Sequence, residues 1–196
     1  MDSPDAATDQ KPVIVICAWN ADETGWDPVE DLSGQIWSPD GARTVLVPAT
    51  APETLALTLS AQLLDRRARA LLLVGRTRRG KGYRMQIRAE NRGLDDSERI
   101  EALGPCVART TAPTVDILDA LKDAGFSAEA SSEAEDDAGN YLLYSVLSHL
   151  TEGGETPAIG LLRAPRGESD ESMTRAIKTV AGVIARQLAP LPRGRI

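Results

Sequence analysis

Three short, continuous apolar runs constrain the fold of this chain most strongly. They span Pro12 to Cys17, Thr44 to Val47 and Ala70 to Val74. A strand with one buried face alternates apolar and polar residues, whereas a continuous apolar run is typical of a strand buried on both faces. Such strands occur in parallel sheets that carry helices on both sides. We therefore expect an α/β domain built on a mostly parallel central sheet.

Helical patterns alternate with these runs, as an α/β domain requires. Pro52 starts the first predicted helix, which runs to about Arg67. The pattern from Tyr83 to Arg88 alternates and predicts a half-exposed strand. The remaining predicted elements are, in order, a helix from Pro113 to Ala124 closed by Gly125, a strand from Phe126 to Ala130, a helix from Asp137 to Leu150 with Asp136 as N-cap, a strand from Pro157 to Leu162 and a helix from Glu171 to Leu188.

Length and charge define the domain organisation and the expected partners. The 196 residues carry a formal net charge of −7. We expect one domain at residues 12–188, preceded by an acidic leader at 1–11 and followed by a short basic tail at 189–196. No apolar run reaches the ~20 residues of a membrane-spanning helix, and no secretory pattern is seen in the leader. We expect a cytoplasmic protein with neither a membrane nor a nucleic-acid partner.

Few residues in this chain can support metal or thiol chemistry. His149 is the only histidine, which excludes sites that need two imidazoles. Cys17 and Cys106 are far apart in sequence and form no CxxC motif, so we expect free thiols rather than a disulfide. We expect neither a metal nor a cofactor.

The segment from Gly75 to Gly82 matches the phosphate-loop pattern GxxxxGK. A functional phosphate loop has Ser or Thr after the lysine and then opens a helix. Here Gly82 follows Lys81, and the next residues alternate as a strand does. The segment is therefore interpreted as an exposed connection and not as a nucleotide site.

A basic face accompanies this connection and reverses the sign of the charge locally. It comprises Arg76, Arg78, Arg79, Lys81, Arg84 and Arg88. These cations could attract an anionic ligand, an acidic partner protein or the chain's own acidic segments. A simpler interpretation than any of these is that the cations form a solvent-exposed face without a specific partner.

Three segments, in this order, resemble motifs of the pyroglutamyl peptidase I (pyrrolidone-carboxylate peptidase) family. The first is Tyr83 to Asn91, the second is Gly139 to Leu150, and the third is Ile159 to Pro165 followed by Ser172 and Met173. The resemblance covers about Pro12 to Leu188. It implies a three-layer α/β/α sandwich and an enzyme that removes N-terminal pyroglutamate with a Cys-Glu-His triad.

The triad positions implied by this resemblance hold different residues here. Gly139 stands in the place of the cysteine, Gln86 in that of the glutamate and Arg163 in that of the histidine. Glycine offers no nucleophile. Arginine, with a pKa above ~12, stays charged and cannot act as a general base. Glutamine cannot stabilise an imidazolium as a carboxylate does.

The main hypothesis is a pyroglutamyl-peptidase-like protein that has lost cysteine-peptidase activity. It would bind a small anionic molecule or peptide, or a protein partner, or it would form a homo-oligomer. The candidate ligand-binding residues are Trp19, Asn91, Asn140 and Arg163. Arg163 is equally consistent with a structural ion pair to Asp136 or Asp137.

Two alternatives remain open at this point. One is an active peptidase with a rewired site, and the other is an interaction scaffold that uses the basic face. His149 is interpreted as structural, and neither Cys17 nor Cys106 lies at the nucleophile position.

Overall fold

The computed structural model describes residues 11–18, 37–64, 67–94, 98–135, 137–150 and 155–188. Within these ranges the elements, in chain order, are β1 (Val13–Ala18), β2 (Arg43–Leu46), α1 (Pro52–Leu64), β3 (Ala68–Arg76), β4 (Tyr83–Gln86), β5 (Arg88–Glu90), β6 (Val107–Arg109), α2 (Thr114–Asp123), β7 (Ala128–Ser131), α3 (Ala138–Ser148), β8 (Ala158–Ala164) and α4 (Asp170–Leu188). Trp19, Asp136 and the whole predicted tail lie outside the described residues. Of the predicted leader, only Lys11 is described. No helix in these ranges is both long and apolar enough to cross a membrane.

Six strands form one sheet in the order β2-β1-β3-β8-β4-β7. Every neighbouring pair is parallel except β4 and β8, which pair antiparallel with Met85 opposite Leu162. The predicted mostly parallel sheet is therefore confirmed. Because β1, β3 and β8 are parallel, their carboxyl ends meet at the same edge of the sheet, where ligands bind in folds of this kind.

Helices cover both faces of the sheet. Residues of α2 and α4, such as Ile117 and Ile177, pack in one core with Ile14 of β1. Residues of α1 and α3, such as Leu59, pack in a second core with Val15 of β1. Successive residues of β1 thus belong to opposite cores, as the continuous apolar run predicts. The result is a three-layer α/β/α sandwich.

The alternating segment from Tyr83 to Arg88 is not the half-exposed strand that its pattern suggests. It is divided into β4, which lies between β8 and β7, and β5, which pairs with β6 in a separate two-stranded sheet. Tyr83 and Met85 belong to the core beneath α2 and α4, while Gln86 is fully buried. Alternation distinguishes an apolar face from a polar face, but it does not show whether the polar face meets water or buried hydrogen-bonding partners.

Candidate functional site

Three elements bring Gln86, Gly139 and Arg163 together. Gln86 ends β4, Arg163 lies near the end of β8, and Gly139 lies in the first turn of α3. All three residues are buried, and the side chain of Arg163 donates from Nε to Oε1 of Gln86 at 2.9 Å. The residues expected at the triad positions are therefore found in one site at the carboxyl edge of β8.

Arg163 forms a bidentate ion pair with Asp137. Its two terminal nitrogens donate to the two carboxylate oxygens at 2.6 and 2.9 Å, and Arg163 is only 1% exposed. Parallel bonds of this kind are the strongest geometry for a guanidinium and a carboxylate. Of the interpretations open for Arg163, the structure thus shows the ion pair with Asp137.

Asp137 is also the N-cap of α3. Its carboxylate accepts a hydrogen bond from the backbone N–H of Asn140 at 3.1 Å, with the extended backbone that an N-cap adopts. The sequence pattern predicts this cap at Asp136, one residue earlier, and that prediction is wrong. Two adjacent aspartates are equally suitable by residue type, and only the start of the helix distinguishes them.

A second buried carboxylate, that of Glu135, also lies near Arg163. Its Oε1 is 3.9 Å from Nε of Arg163. The same carboxylate accepts hydrogen bonds from the hydroxyl of Thr77 and from the backbone N–H of Arg78 at 3.0 Å. Arg163 is thus surrounded by two acidic side chains, each held by other bonds. Sequence reasoning missed Glu135, because nothing in its local pattern distinguishes it from the neighbouring acidic residues.

Two hydrogen bonds orient the side-chain amide of Gln86, which accepts one and donates the other. Its oxygen accepts from Arg163, and its Nε2 donates to the backbone carbonyl of Arg88 at 2.8 Å. A glutamate could accept from the guanidinium but could not donate to that carbonyl. Glutamine therefore matches its surroundings in this site.

Asn140 and Asn91, predicted as ligand-binding residues, attach the small β5–β6 sheet to its surroundings. The side chain of Asn140 bonds both backbone groups of Glu90, at 2.9 and 3.0 Å. The side chain of Asn91 bonds both backbone groups of Glu101, at 3.0 and 2.7 Å. Each amide therefore uses its oxygen and its nitrogen in contacts within the chain.

The two cysteines and His149 lie apart from the Arg163 site. Burial raises the pKa of the Cys17 thiol to about 12, so it stays protonated at neutral pH. Cys106 is exposed and accepts a hydrogen bond from Arg99. His149 is the C-cap of α3, bonded to the carbonyl of Ser145, and lies roughly 15 Å along the helix axis from Gly139. Within the described ranges, no cluster of His, Cys, Asp and Glu is suited to hold a metal ion.

Most of the basic face is neutralised by acidic residues of the same chain. Arg79 pairs with Glu133 at 2.5 Å and Arg84 with Glu129 at 2.8 Å. The other two paired residues are Arg76, which lies 3.5 Å from Asp170, and Arg88, which lies 3.5 Å from Glu90. Arg78 and Lys81 are exposed and form no ion pair with any residue that the structure describes.

A groove of about 400 Å³ lies between α1, residues 93–94 and 98–100, and α3. It is lined by Glu53, Gly93, Leu94, Glu98, Arg99, Ile100 and Tyr141. Two carboxylates and one guanidinium thus face this space, which makes it a poor receptor for an anion.

Solved structures with closely similar architecture come from bacteria and archaea. Pyroglutamyl peptidase I from Bacillus amyloliquefaciens has a TM-score of 0.72 at 18% identity, with 94% of this chain and 100% of that chain covered. The pyrrolidone carboxyl peptidase from Thermococcus litoralis has a TM-score of 0.73 at 17% identity, with coverage of 91% and 94%. The enzyme from Thermus thermophilus has a TM-score of 0.67 at 20% identity, with coverage of 87% and 98%.

The chain has the pyroglutamyl peptidase I fold. The fold expected from the sequence resemblance is thus confirmed over nearly the whole chain. No protein-family model matches the sequence, and a search of curated proteins found no match. At identities of 17–20%, the likeness to pyroglutamyl peptidases concerns the fold alone, and the chemistry has to be argued from the residues of this site.

Proposed function

We propose that this protein has lost the cysteine-peptidase chemistry associated with the pyroglutamyl peptidase fold and acts by binding. The observation that carries this proposal is the buried Arg163–Asp137 ion pair at the first turn of α3. Arg163 is a permanent cation at the position where a thiol peptidase needs a titratable base. Asp137 is a carboxylate cap at the helix N-terminus where such an enzyme stabilises its thiolate.

Three chemical requirements of a thiol peptidase are unmet at this site. A nucleophilic thiolate at a helix N-terminus is stabilised by the helix dipole and a nearby imidazole. Gly139 provides no thiol, and the Asp137 carboxylate at the same turn repels an anion. Arg163 cannot accept a proton at neutral pH, and Gln86 already donates to the carbonyl of Arg88.

The test is the release of a fluorophore from a pyroglutamyl-amide substrate, measured beside an authentic pyroglutamyl peptidase. We expect no turnover above background from this protein or from its Cys17→Ser and Cys106→Ser variants. Turnover that disappears with either cysteine variant would contradict the proposal and establish the rewired peptidase in its place.

Among ligand classes, the contacts favour a protein partner with an acidic surface over a small anion. Arg163 is already bonded to a carboxylate, so a small anion would have to displace Asp137. Arg78 and Lys81 are exposed on the connection between β3 and β4, at the edge of the sheet where the carboxyl ends of β3 and β8 meet. Charged residues at an interface raise the rate and selectivity of association.

A poly-L-glutamate peptide provides a defined acidic probe. We expect salt-sensitive binding that Arg78→Glu combined with Lys81→Glu abolishes. Arg43→Glu combined with Arg186→Glu is the matched control, because both residues are exposed, lie at the opposite end of the sheet and change the net charge equally. Equal weakening by both pairs would show a response to net charge only and would remove the basic-face proposal.

A further inference from the structure

The acidic segment, residues 129–133 at the β7 edge of the sheet, supplies two of the carboxylates that neutralise the basic face. Glu129 of β7 lies 2.8 Å from Arg84, its partner in the parallel register of β4 and β7. Glu133, which follows β7, lies 2.5 Å from Arg79. The acidic segment therefore occupies part of the surface to which an acidic partner would bind.

Both of these ion pairs are open to solvent on the side of the carboxylate. The side chain of Glu129 is 61% exposed and that of Glu133 is 66% exposed. Exposed ion pairs contribute little to stability, because water and salt screen them and because two long side chains lose freedom when they pair. The two glutamates can therefore leave their arginines while the domain stays folded.

The guanidinium of Arg84 is only partly satisfied by Glu129. The contact uses Nη2, whereas Nε is buried and has no hydrogen bond to any residue that the structure describes. A carboxylate that accepted from Nε and Nη2 together would form a bidentate pair, which is the stronger geometry. Gly80 lies against the same guanidinium, since a Cβ added there would be 3.1 Å from Nη2. Arg84 is thus next to the connection that carries the exposed Arg78 and Lys81.

We propose that the acidic segment competes with the acidic partner for Arg79 and Arg84. The partner's carboxylates first meet the exposed cations of the connection between β3 and β4, and then replace Glu129 and Glu133 at the two arginines. This inference rests on the proposed function, because it requires an acidic partner on the basic face. It extends the binding surface to two arginines that are paired within the chain, and it makes the affinity depend on how tightly the chain holds its own carboxylates.

The first test measures the affinity of poly-L-glutamate for a variant without the competing carboxylates. Glu129→Gln combined with Glu133→Gln nearly preserves the size of both side chains and removes their charges. The apparent affinity of a site falls with the fraction of molecules in which that site is blocked, and each exposed pair is weak, so we expect binding about three- to tenfold tighter than in the parent protein.

Asp119→Asn combined with Asp123→Asn is the matched control. Both residues are exposed on α2, which packs beside β7, and the change in net charge is the same. Neither residue pairs with the basic face in the part of the chain that the structure describes. The control should therefore bind poly-L-glutamate as the parent protein does.

The outcomes separate this inference from the proposed function. Tighter binding by the glutamine variant alone supports the competition. Equal affinities of the parent, the glutamine variant and the control would overturn the competition, while loss of binding in Arg78→Glu/Lys81→Glu would still support the basic face as the binding surface. Equal tightening in the glutamine variant and the control would show a response to net charge only and would also overturn the competition. Absence of binding in every protein would overturn both proposals.

A second measurement follows the carboxylates directly in the protein without substitutions, so it does not depend on the folding of a variant. Addition of poly-L-glutamate should shift the NMR signals of the carboxyl carbons of Glu129 and Glu133, because each loses its arginine. The carboxyl signals of Asp119 and Asp123 should stay in place. Saturation with poly-L-glutamate that leaves the signals of both glutamates unmoved would overturn the competition.

Discussion

The carboxylate of Asp137 accepts both terminal nitrogens of Arg163 while it also caps helix α3. One side chain therefore joins the fourth strand of the sheet order, β8, to the start of the helix that packs over it. Neither group is easily removed alone, because Arg163 is fully buried and the side chain of Asp137 is only 17% exposed.

Arg163→Met should destabilise the protein strongly. Removing one partner of a buried ion pair leaves the other charge without compensation, at a cost of roughly 3–5 kcal/mol. Arg163→Met combined with Asp137→Asn should be more stable than Arg163→Met alone, because the Asp137 carboxylate is then not left without its cation. Urea unfolding measures both free energies. A loss below ~1 kcal/mol in the single variant would mean that water reaches the pair freely.

The two functions of Asp137 can be separated by substitution. Asp137→Asn keeps an oxygen that can cap α3 but removes the charge that faces Arg163. Asp137→Ala removes both, so it should be less stable than Asp137→Asn by about 1 kcal/mol, the usual contribution of an N-cap. Thermal and urea unfolding give the order. Equal stability of the two variants would show that the cap contributes nothing here.

Gly160 in β8 is expected to tolerate no side chain. A Cβ at this position would lie 2.9 Å from Cβ of Ala112 and 3.1 Å from Cε of Met85. Gly160→Ala should therefore cost about 1–3 kcal/mol, and Ala112→Gly should recover part of the loss in the double variant. Gly182→Ala is the control, because the nearest atom there is 3.9 Å away within α4. That substitution should stabilise the protein by up to about 1 kcal/mol.

Stability should fall at alkaline pH. Burial raises the pKa of Cys17 from 9.0 to about 12 and that of Tyr83 from 10.0 to about 12. Both groups ionise more readily in the unfolded chain, so their contribution is complete below pH 9 and is lost as the pH rises from 9 to 12. The free energy of unfolding should decrease across this interval.

The Cys17→Ala variant isolates the thiol contribution. Its stability should decline less steeply between pH 9 and 12 than that of the parent protein, whereas Cys106→Ala, at an exposed thiol, should leave the slope unchanged. Chemical unfolding at a series of pH values gives both slopes. Identical slopes for Cys17→Ala and the parent would show that the thiol ionises equally in the folded and unfolded states.

The apolar runs predicted the central strands because a fully buried strand leaves a direct compositional signal. β1, β2 and β3 agree with the predicted runs within two residues at each end. β6 was missed, because three residues of mixed polarity carry no periodicity. Its pairing with β5 depends on contacts between residues distant in sequence, such as Ala89 with Ala108.

The site was only partly predictable for a related reason. The family resemblance pointed to Gln86, Gly139 and Arg163, and the structure brings them together. Which acidic side chain pairs with Arg163 depends on the position of each carboxylate in the folded chain. Residue type alone does not distinguish Asp137 from the neighbouring acidic residues. Asn91 and Asn140 illustrate the same limit, because an amide that could hold a ligand can equally bond a neighbouring backbone segment.

The position of β8 has a consequence for how the chain is synthesised. Of the strands that the structure describes, β8 leaves the ribosome last, yet it lies between β3 and β4 in the sheet. Before it emerges, the nascent chain can form β2-β1-β3 and β4-β7 only as two separate half-sheets. Contacts between residues far apart in sequence form slowly. The hydrophobic core of this domain can therefore be completed only after β8 has emerged, and a chain that ends before residue 158 would expose the inner edges of both half-sheets to aggregation.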